Sequence, residues 1–338
     1  MLAATPRIAS AGAPRMVSSQ GERGANLANQ VSQARIKPRA LKSGDTIGVV
    51  SPASAIEREH LERGVVALKR MGFRVKVSRH ALDRGAIVAG PDAVRARELQ
   101  AFFADPEVDA IFAARGGYGA GRILPLLDFD AIARTPKVFM GFSDATFILN
   151  ALVGRAGMVC FHGPMVAMGF ARGLSESSLD HLRRLLAGER GSFELPARAA
   201  LRAGVAEGEV VGGCLSMVVA ALGTPYAPPF DGAILFLEDT GEKAYRIDRM
   251  LVQLGQAGVL GRVAAVVFGA LRPPDGSEAE HRLIAECVAE QAARLDCPVL
   301  SGLEAGHGSA NFAIPFGVRA RVDTAARTLG FLEPAVEA

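Results

Sequence analysis

Val138-Phe139-Met140-Gly141-Phe142-Ser143-Asp144-Ala145-Thr146-Phe147-Ile148-Leu149 is the stretch on which the fold turns. Val138–Gly141 is a short apolar run that reads as a buried strand, and Asp144–Val153 reads as a helix. A serine on so sharp a strand-to-helix turn is held away from the backbone and presented at the sheet edge. Small residues two before and two after it, Gly141 and Ala145, let the turn close. This is the logic of the G-x-S-x-G elbow, with Ala in the last place. The helix N-terminus adds free N–H groups and a positive dipole end, suited to a developing oxyanion. The same residues also fit a plain helix start, because serine is a favoured N-cap and Asp144 a favourable first-turn acid.

The alternation continues outward on both sides. Thr46–Pro52, Phe73–Val77, Val108–Ala113 and Val159–Phe161 read as further strands, and Ile56–Met71, Asp92–Phe103 and Gly121–Leu127 as helices. Short apolar strands alternating with amphipathic helices predict an α/β fold: a mostly parallel sheet flanked by helices over 37–165. Residues 166–204 change character and read as a linker. Over 205–338 a smaller α/β domain is expected, with strands at Ala233–Leu237, Arg262–Phe268, Val299–Leu300 and Val318–Asp323. Its helices are expected at Leu215–Leu222, Arg246–Leu254 and Glu278–Leu295. Residues 1–36 hold four arginines against the single acid Glu22 and are expected to be a disordered or targeting tail that adds nothing to the fold.

Composition removes several function classes. The chain has 338 residues, 38 basic and 35 acidic side chains, net charge +3 and no Trp. This balance gives no basic patch for nucleic acid. No run approaches the roughly 18 apolar residues of a membrane span. Cys160, Cys214, Cys287 and Cys297 lack metal-site or disulfide spacing and read as buried, reduced thiols. No H-e-x-x-H, EF-hand or clustered His/Cys pattern offers a metal site, and no cofactor is expected.

A second turn, Arg115-Gly116-Gly117-Tyr118-Gly119, allows positive φ and close backbone approach after a strand. It matches neither the dinucleotide fingerprint nor a P-loop. A base for the serine could be His307, in Gly306-His307-Gly308, or His162, in Phe161-His162-Gly163-Pro164. An orienting acid could be Glu238 or Asp239, at the end of a buried strand where an unpaired charge is costly.

Six motifs in order resemble the LD-carboxypeptidase family of serine peptidases, which includes muramoyltetrapeptide carboxypeptidases and microcin-immunity hydrolases. They are GDTIGVVSPAS (Gly44–Ser54), ARGGYGAGRILPLLDFD (Ala114–Asp130), GFSDATFIL (Gly141–Leu149), FHGPM (Phe161–Met165), LFLEDTGEKAYRIDRML (Leu235–Leu251) and GHGSANFAIPFGVRARVD (Gly306–Asp323). The resemblance implies Ser143 as nucleophile, Glu238 as orienting acid and His307 as base, with backbone amides of Gly117 and Asp144 as the oxyanion hole. It implies a site between two domains, in a cytoplasmic homodimer. The expected activity is removal of terminal D-Ala from a murein tetrapeptide through an L,D peptide bond, in cell-wall recycling, with Arg115 and Arg246 as candidates for the substrate carboxylate. Hydrolysis of a peptide–nucleotide antibiotic is the alternative within the family. A non-catalytic peptide-binding protein is the alternative outside it. The chain departs from the family at Gly212-Gly213-Cys214-Leu215, where Asn commonly stands in place of Cys214, and its short region after FHGPM favours the cell-wall branch.

Overall fold

Two sheets share the chain in the computed structural model, which describes residues 34–189, 193–308 and 310–338. The tail expected before Ile36 lies, through residue 33, outside them. From Arg35 the chain forms one compact unit, and Arg35 already pairs with Glu209 at 2.7 Å.

Among the described residues the first sheet has the strands β1 (Thr46–Val50), β2 (Arg74–Val77), β3 (Ala110–Ala113), β4 (Val138–Gly141) and β5 (Cys160–His162), all parallel. The central strands are buried on both faces, which is why they read as uninterrupted apolar runs. The edge strand β2 carries Arg74 and Lys76, which discourage pairing with another chain.

The second sheet contains β6 (Glu194–Pro196), β7 (Ala199–Arg202), β8 (Val205–Cys214), β9 (Ile234–Thr240), β10 (Ala265–Arg272) and β11 (Val299–Ser301). After β12 (Ile314–Phe316), the strands β13 (Arg319–Asp323) and β14 (Thr328–Phe331) complete it. Its order is β6-β14-β13-β8-β9-β10-β11-β7, with β8 to β11 parallel and the flanks antiparallel. β12 pairs antiparallel with β5, so a strand from the C-terminal third closes the first sheet.

Several elements differ from expectation. The presumed linker holds a helix, Glu176–Leu186, and the two edge strands β6 and β7 of the second sheet. β8 was not foreseen, because glutamates and glycines break the apolar alternation of Val205–Cys214. Phe129–Arg134 is an unforeseen helix, capped by Asp128 through Ala131 N–H at 2.9 Å. Cys160 and Cys214 are buried and all four cysteines are free, but Cys287 and Cys297 are only half-buried.

Thr146–Arg155 is apolar around nearly its whole circumference because it packs against β4, β5 and β8. This helix begins at the elbow serine, so its packing against both sheets sets where that serine points.

Candidate active site

The elbow is built as its small residues demand. Phe142 is extended, and Ser143 then takes φ 61°, a left-handed conformation that costs a non-glycine residue about 1–3 kcal/mol. A Cβ on Gly141 would sit 2.9 Å from the Ala145 Cβ and 3.1 Å from that of Ala113, so a larger residue would push the turn open. Ser143 itself is half-buried.

The glycine-rich turn after β3 lies directly against the serine. A Cβ on Gly116 would come within 2.8 Å of the Ser143 Cβ and 3.2 Å of the Asp144 nitrogen, so only glycine lets the two turns meet. Several contacts hold this turn. Gly116 C=O accepts from Ser54 N–H at 3.2 Å, Tyr118 N–H donates to Ser54 Oγ at 3.0 Å, and buried Arg95 donates to Gly119 C=O at 2.9 Å. The Asp144 carboxylate joins it to the elbow by accepting from Ala120 N–H at 2.7 Å. Burial raises the pKa of that carboxyl, against the pull of Ala120 N–H and Arg95. Neither Gly117 N–H nor Asp144 N–H donates to another described residue, which leaves both amides open to a ligand.

Glu238 stands at the end of β9 and is wholly buried. His307 N–H donates to its Oε2 at 3.0 Å, and His307 Nδ1 lies 2.6 Å from the same oxygen. A proton on Nδ1 makes this a charge-assisted bond and leaves Nε2 as an acceptor. Gly306, at φ 86°, makes the approach possible, since a Cβ there would fall 2.3 Å from Oε2. Burial alone would raise the Glu238 carboxyl; the His162 and His307 imidazoles outweigh it and hold the group below its ordinary value. Burial alone would lower His307; the hydrogen bond and charge of Glu238, with the charge of Asp239, raise it instead, against Arg272.

The structure gives the alternative acids and histidines different surroundings. Asp239 accepts from Ser216 N–H and Thr240 N–H, each at 2.7 Å, so its oxygens face the start of the helix Leu215–Ala220, which follows β8, and not His307. His162 on β5 is wholly buried, with Nε2 3.5 Å from the other Glu238 oxygen. His307 is partly exposed, and its ring centroid is 4.7 Å from that of Phe142, the residue before the serine. Ser143 Oγ makes no hydrogen bond to His307 among the described residues. Such bonds are often long in an unliganded enzyme and tighten with substrate.

The two candidate arginines are not joined to this group. Arg115 is exposed and donates to Ala55 C=O at 3.2 Å. Arg246 pairs with Glu242 at 3.2 Å on the surface of the helix Ala244–Gln256. Cys214 lies opposite Glu238 in the β8–β9 register, and its N–H donates to Thr146 Oγ1 at 3.1 Å. Burial raises its thiol well above the ordinary value, so it stays protonated.

Sequence reasoning missed the fastening between the sheets. Asn150 donates to Gly212 C=O at 2.7 Å and to Thr146 C=O at 2.9 Å, and accepts from Gly212 N–H at 3.1 Å. This ties the serine's helix to β8, the neighbour of the strand that carries Glu238. The signal was present as a lone amide in the otherwise apolar Thr146–Val153 run. Arg95, a buried cation in a helix of mixed polarity, gave no comparable sign.

Known proteins match this arrangement. The sequence models for the LD-carboxypeptidase N-terminal and C-terminal domains match residues 47–163 and 207–322. A Bacillus subtilis protein described as a probable murein peptide carboxypeptidase is 36% identical over 302 residues, covering 86% of this chain and 93% of its own. The murein tetrapeptide carboxypeptidase of Pseudomonas aeruginosa is 34% identical over 286 residues, covering 80% and 91%. An MccF-like protein from Bacillus anthracis superposes with a TM-score of 0.81 at 28% identity, covering 88% of this chain and 99% of its own.

Proposed function

Because the chain belongs to the LD-carboxypeptidase family and is a serine-type hydrolase of that kind, we propose that it cuts the L,D bond before the terminal D-Ala of murein tetrapeptides, with Ser143, His307 and Glu238 as its catalytic triad. The observation that carries this reading is the buried Glu238–His307 pair, 2.6 Å apart, with the His307 ring 4.7 Å from that of Phe142, which precedes a serine held at positive φ.

The chemistry follows from the positions. Ser143 Oγ attacks the scissile carbonyl while His307 Nε2 takes its proton. Glu238 holds the imidazole by Nδ1–H and stabilises the cation. The carbonyl oxygen, becoming an anion, is received by the amides of Gly117 and Asp144. His307 then gives its proton to the leaving D-Ala amine, and water repeats the sequence on the acyl-enzyme. On the same reading the enzyme recycles cell-wall peptides in the cytoplasm as a homodimer.

The test is kcat/KM on two tetrapeptides that differ only in D- or L-Ala at the end. With the terminal carboxylate anchored, inversion swings the methyl group into the place of the hydrogen and displaces the scissile carbonyl. A displacement of about 1 Å costs about 100-fold in rate. Equal values for the two peptides would refute the L,D assignment. Turnover of a peptide–nucleotide conjugate, with neither tetrapeptide cleaved, would move the enzyme to the antibiotic-hydrolysing branch.

A further inference from the structure

His162 is a fully buried histidine to which the triad gives no task. Three buried side-chain atoms among the described residues lack a hydrogen-bond partner: His162 Nδ1, His162 Nε2 and Glu238 Oε1. Two of the three face each other, Nε2 and Oε1, at 3.5 Å. That gap is a few tenths of an ångström beyond an ordinary N–H···O bond. A buried carboxylate oxygen without a donor is costly, and the imidazole is the donor within reach.

The surroundings define what this imidazole can do. It is walled by the rings of Phe142, Phe236 and Phe316, with centroids at 5.8, 5.1 and 5.6 Å. It also sits on the strand beside the elbow, with His162 opposite Gly141 of β4 and Ile314 of β12. The other titratable groups whose charge reaches the Glu238–His307 pair, or that feel its charge, are Asp239 on β9, Cys214 on β8 and Arg272 on β10. None of them donates to Oε1.

We propose that His162 is a positioning residue: a neutral imidazole protonated at Nε2, whose N–H faces Glu238 Oε1 and keeps Oε2 turned toward His307. The proposal rests on the reading of Glu238 and His307 as catalytic acid and base. A neutral donor suits this place, because an imidazolium there would compete with His307 for the carboxylate charge. As His307 takes the serine proton, Oε1 stays held and the carboxylate does not rotate.

Two measurements test this. The first is ¹⁵N NMR of histidine-labelled wild type, with His162→Gln to assign the signals. His162 should be neutral and carry its proton on Nε2, whereas His307 carries one on Nδ1. A His162 protonated on Nδ1, or on both nitrogens, would overturn the proposal. The second compares His162→Phe, which fills the space without a donor, with His162→Gln, which returns an amide N–H. His162→Phe should lower kcat about tenfold with KM within about twofold, since a lost buried hydrogen bond is of that order. Without its second donor, the carboxylate holds the proton on His307 more tightly. The acid limb of the kcat/KM profile should therefore move up by about half a pH unit. His162→Gln should restore both toward wild type. A His162→Phe enzyme with unchanged kcat and limb would refute the proposal. If that variant does not fold, the wild-type tautomer and the His162→Gln profile decide. Ser143→Ala and His307→Ala separate the two readings: if either stays active the triad is wrong, and the tautomer still decides the state of His162.

Discussion

Gly306→Ala is the sharpest test of how the acid and base are held. The perturbation has two parts. Alanine at φ 86° costs about 1–2 kcal/mol in left-handed strain. Its Cβ would also lie 2.3 Å from Glu238 Oε2, 2.4 Å from Cγ and 2.5 Å from Cδ, where ordinary contact begins near 3.4 Å. The carboxylate must therefore retreat by about 1 Å, and its 2.6 Å bond to His307 Nδ1 is lost. A misplacement of that size costs about 100-fold in rate. The upper bound is the roughly 10⁴-fold loss seen when a triad acid is neutralised. Strain alone should lower Tm by only a few degrees. Gly276→Ala is the control, because Gly276 has φ 66° and nothing within 4 Å of a new Cβ. The assay is D-Ala release with thermal melts for both variants. Gly276→Ala should lose a similar amount of Tm and keep its rate within about twofold, while Gly306→Ala loses about 100-fold or more in kcat. A Gly306→Ala enzyme within threefold of wild type would show that the carboxylate position does not limit the reaction.

Three further outcomes are expected. Ser143→Ala should abolish turnover, by a factor on the order of 10⁶ as in another serine hydrolase, and leave tetrapeptide binding by calorimetry intact; activity within tenfold of wild type would remove Ser143 from the mechanism. The base must be neutral to act, and the raised pKa of His307 places the acid limb of kcat/KM above the ordinary histidine value of about 6.5, readable from a pH–rate profile. Stability runs the other way: the group adds stability in full below its unfolded pKa and loses it as pH rises through the folded one. The Tm advantage of wild type over His307→Ala should therefore shrink from pH 6 upward. Asn150→Leu leaves the buried N–H and C=O of Gly212 unpaired and should destabilise the protein by about 3 kcal/mol, or roughly 6–12 °C in Tm, measured by calorimetry.

What could be read from the sequence followed physical rules that act locally. The parallel strands β1, β3, β4 and β5 of the first sheet are buried on both faces, so they appear as apolar runs, and Val138–Gly141 was found without its neighbours. The elbow was visible because Gly141 and Ala145 are small for a steric reason that operates within five residues. β8 and the edge strands β6 and β7 were hidden because their pairing, not their side chains, makes them strands. Val205–Cys214 has an exposed glutamate-rich start and a glycine-rich end, and only β9 and β13 on either side keep it extended. From the residues alone, without the family resemblance, the choice between Glu238 and Asp239 was likewise invisible. Both are acids at one strand end, and alternation sends one carboxylate to His307 and the other to Ser216 N–H.

The fold places the proposed reactive groups at the C-terminal ends of parallel strands. The glycine turn follows β3, the serine follows β4, His162 ends β5, and Glu238 lies near the end of β9. In a parallel sheet these ends open toward loops and helix N-termini, where backbone amides are free to meet an anion. In the proposed triad one sheet supplies the nucleophile and the other the acid, so the distance between them depends on packing between sheets. Three features bridge that gap: the Asn150–Gly212 pair, the Thr146–Cys214 bond and strand β12, which extends the first sheet just after the His307 loop. A substitution far from the serine that loosens any of the three should therefore lower kcat more than it raises KM, because it moves the acid and base relative to the nucleophile.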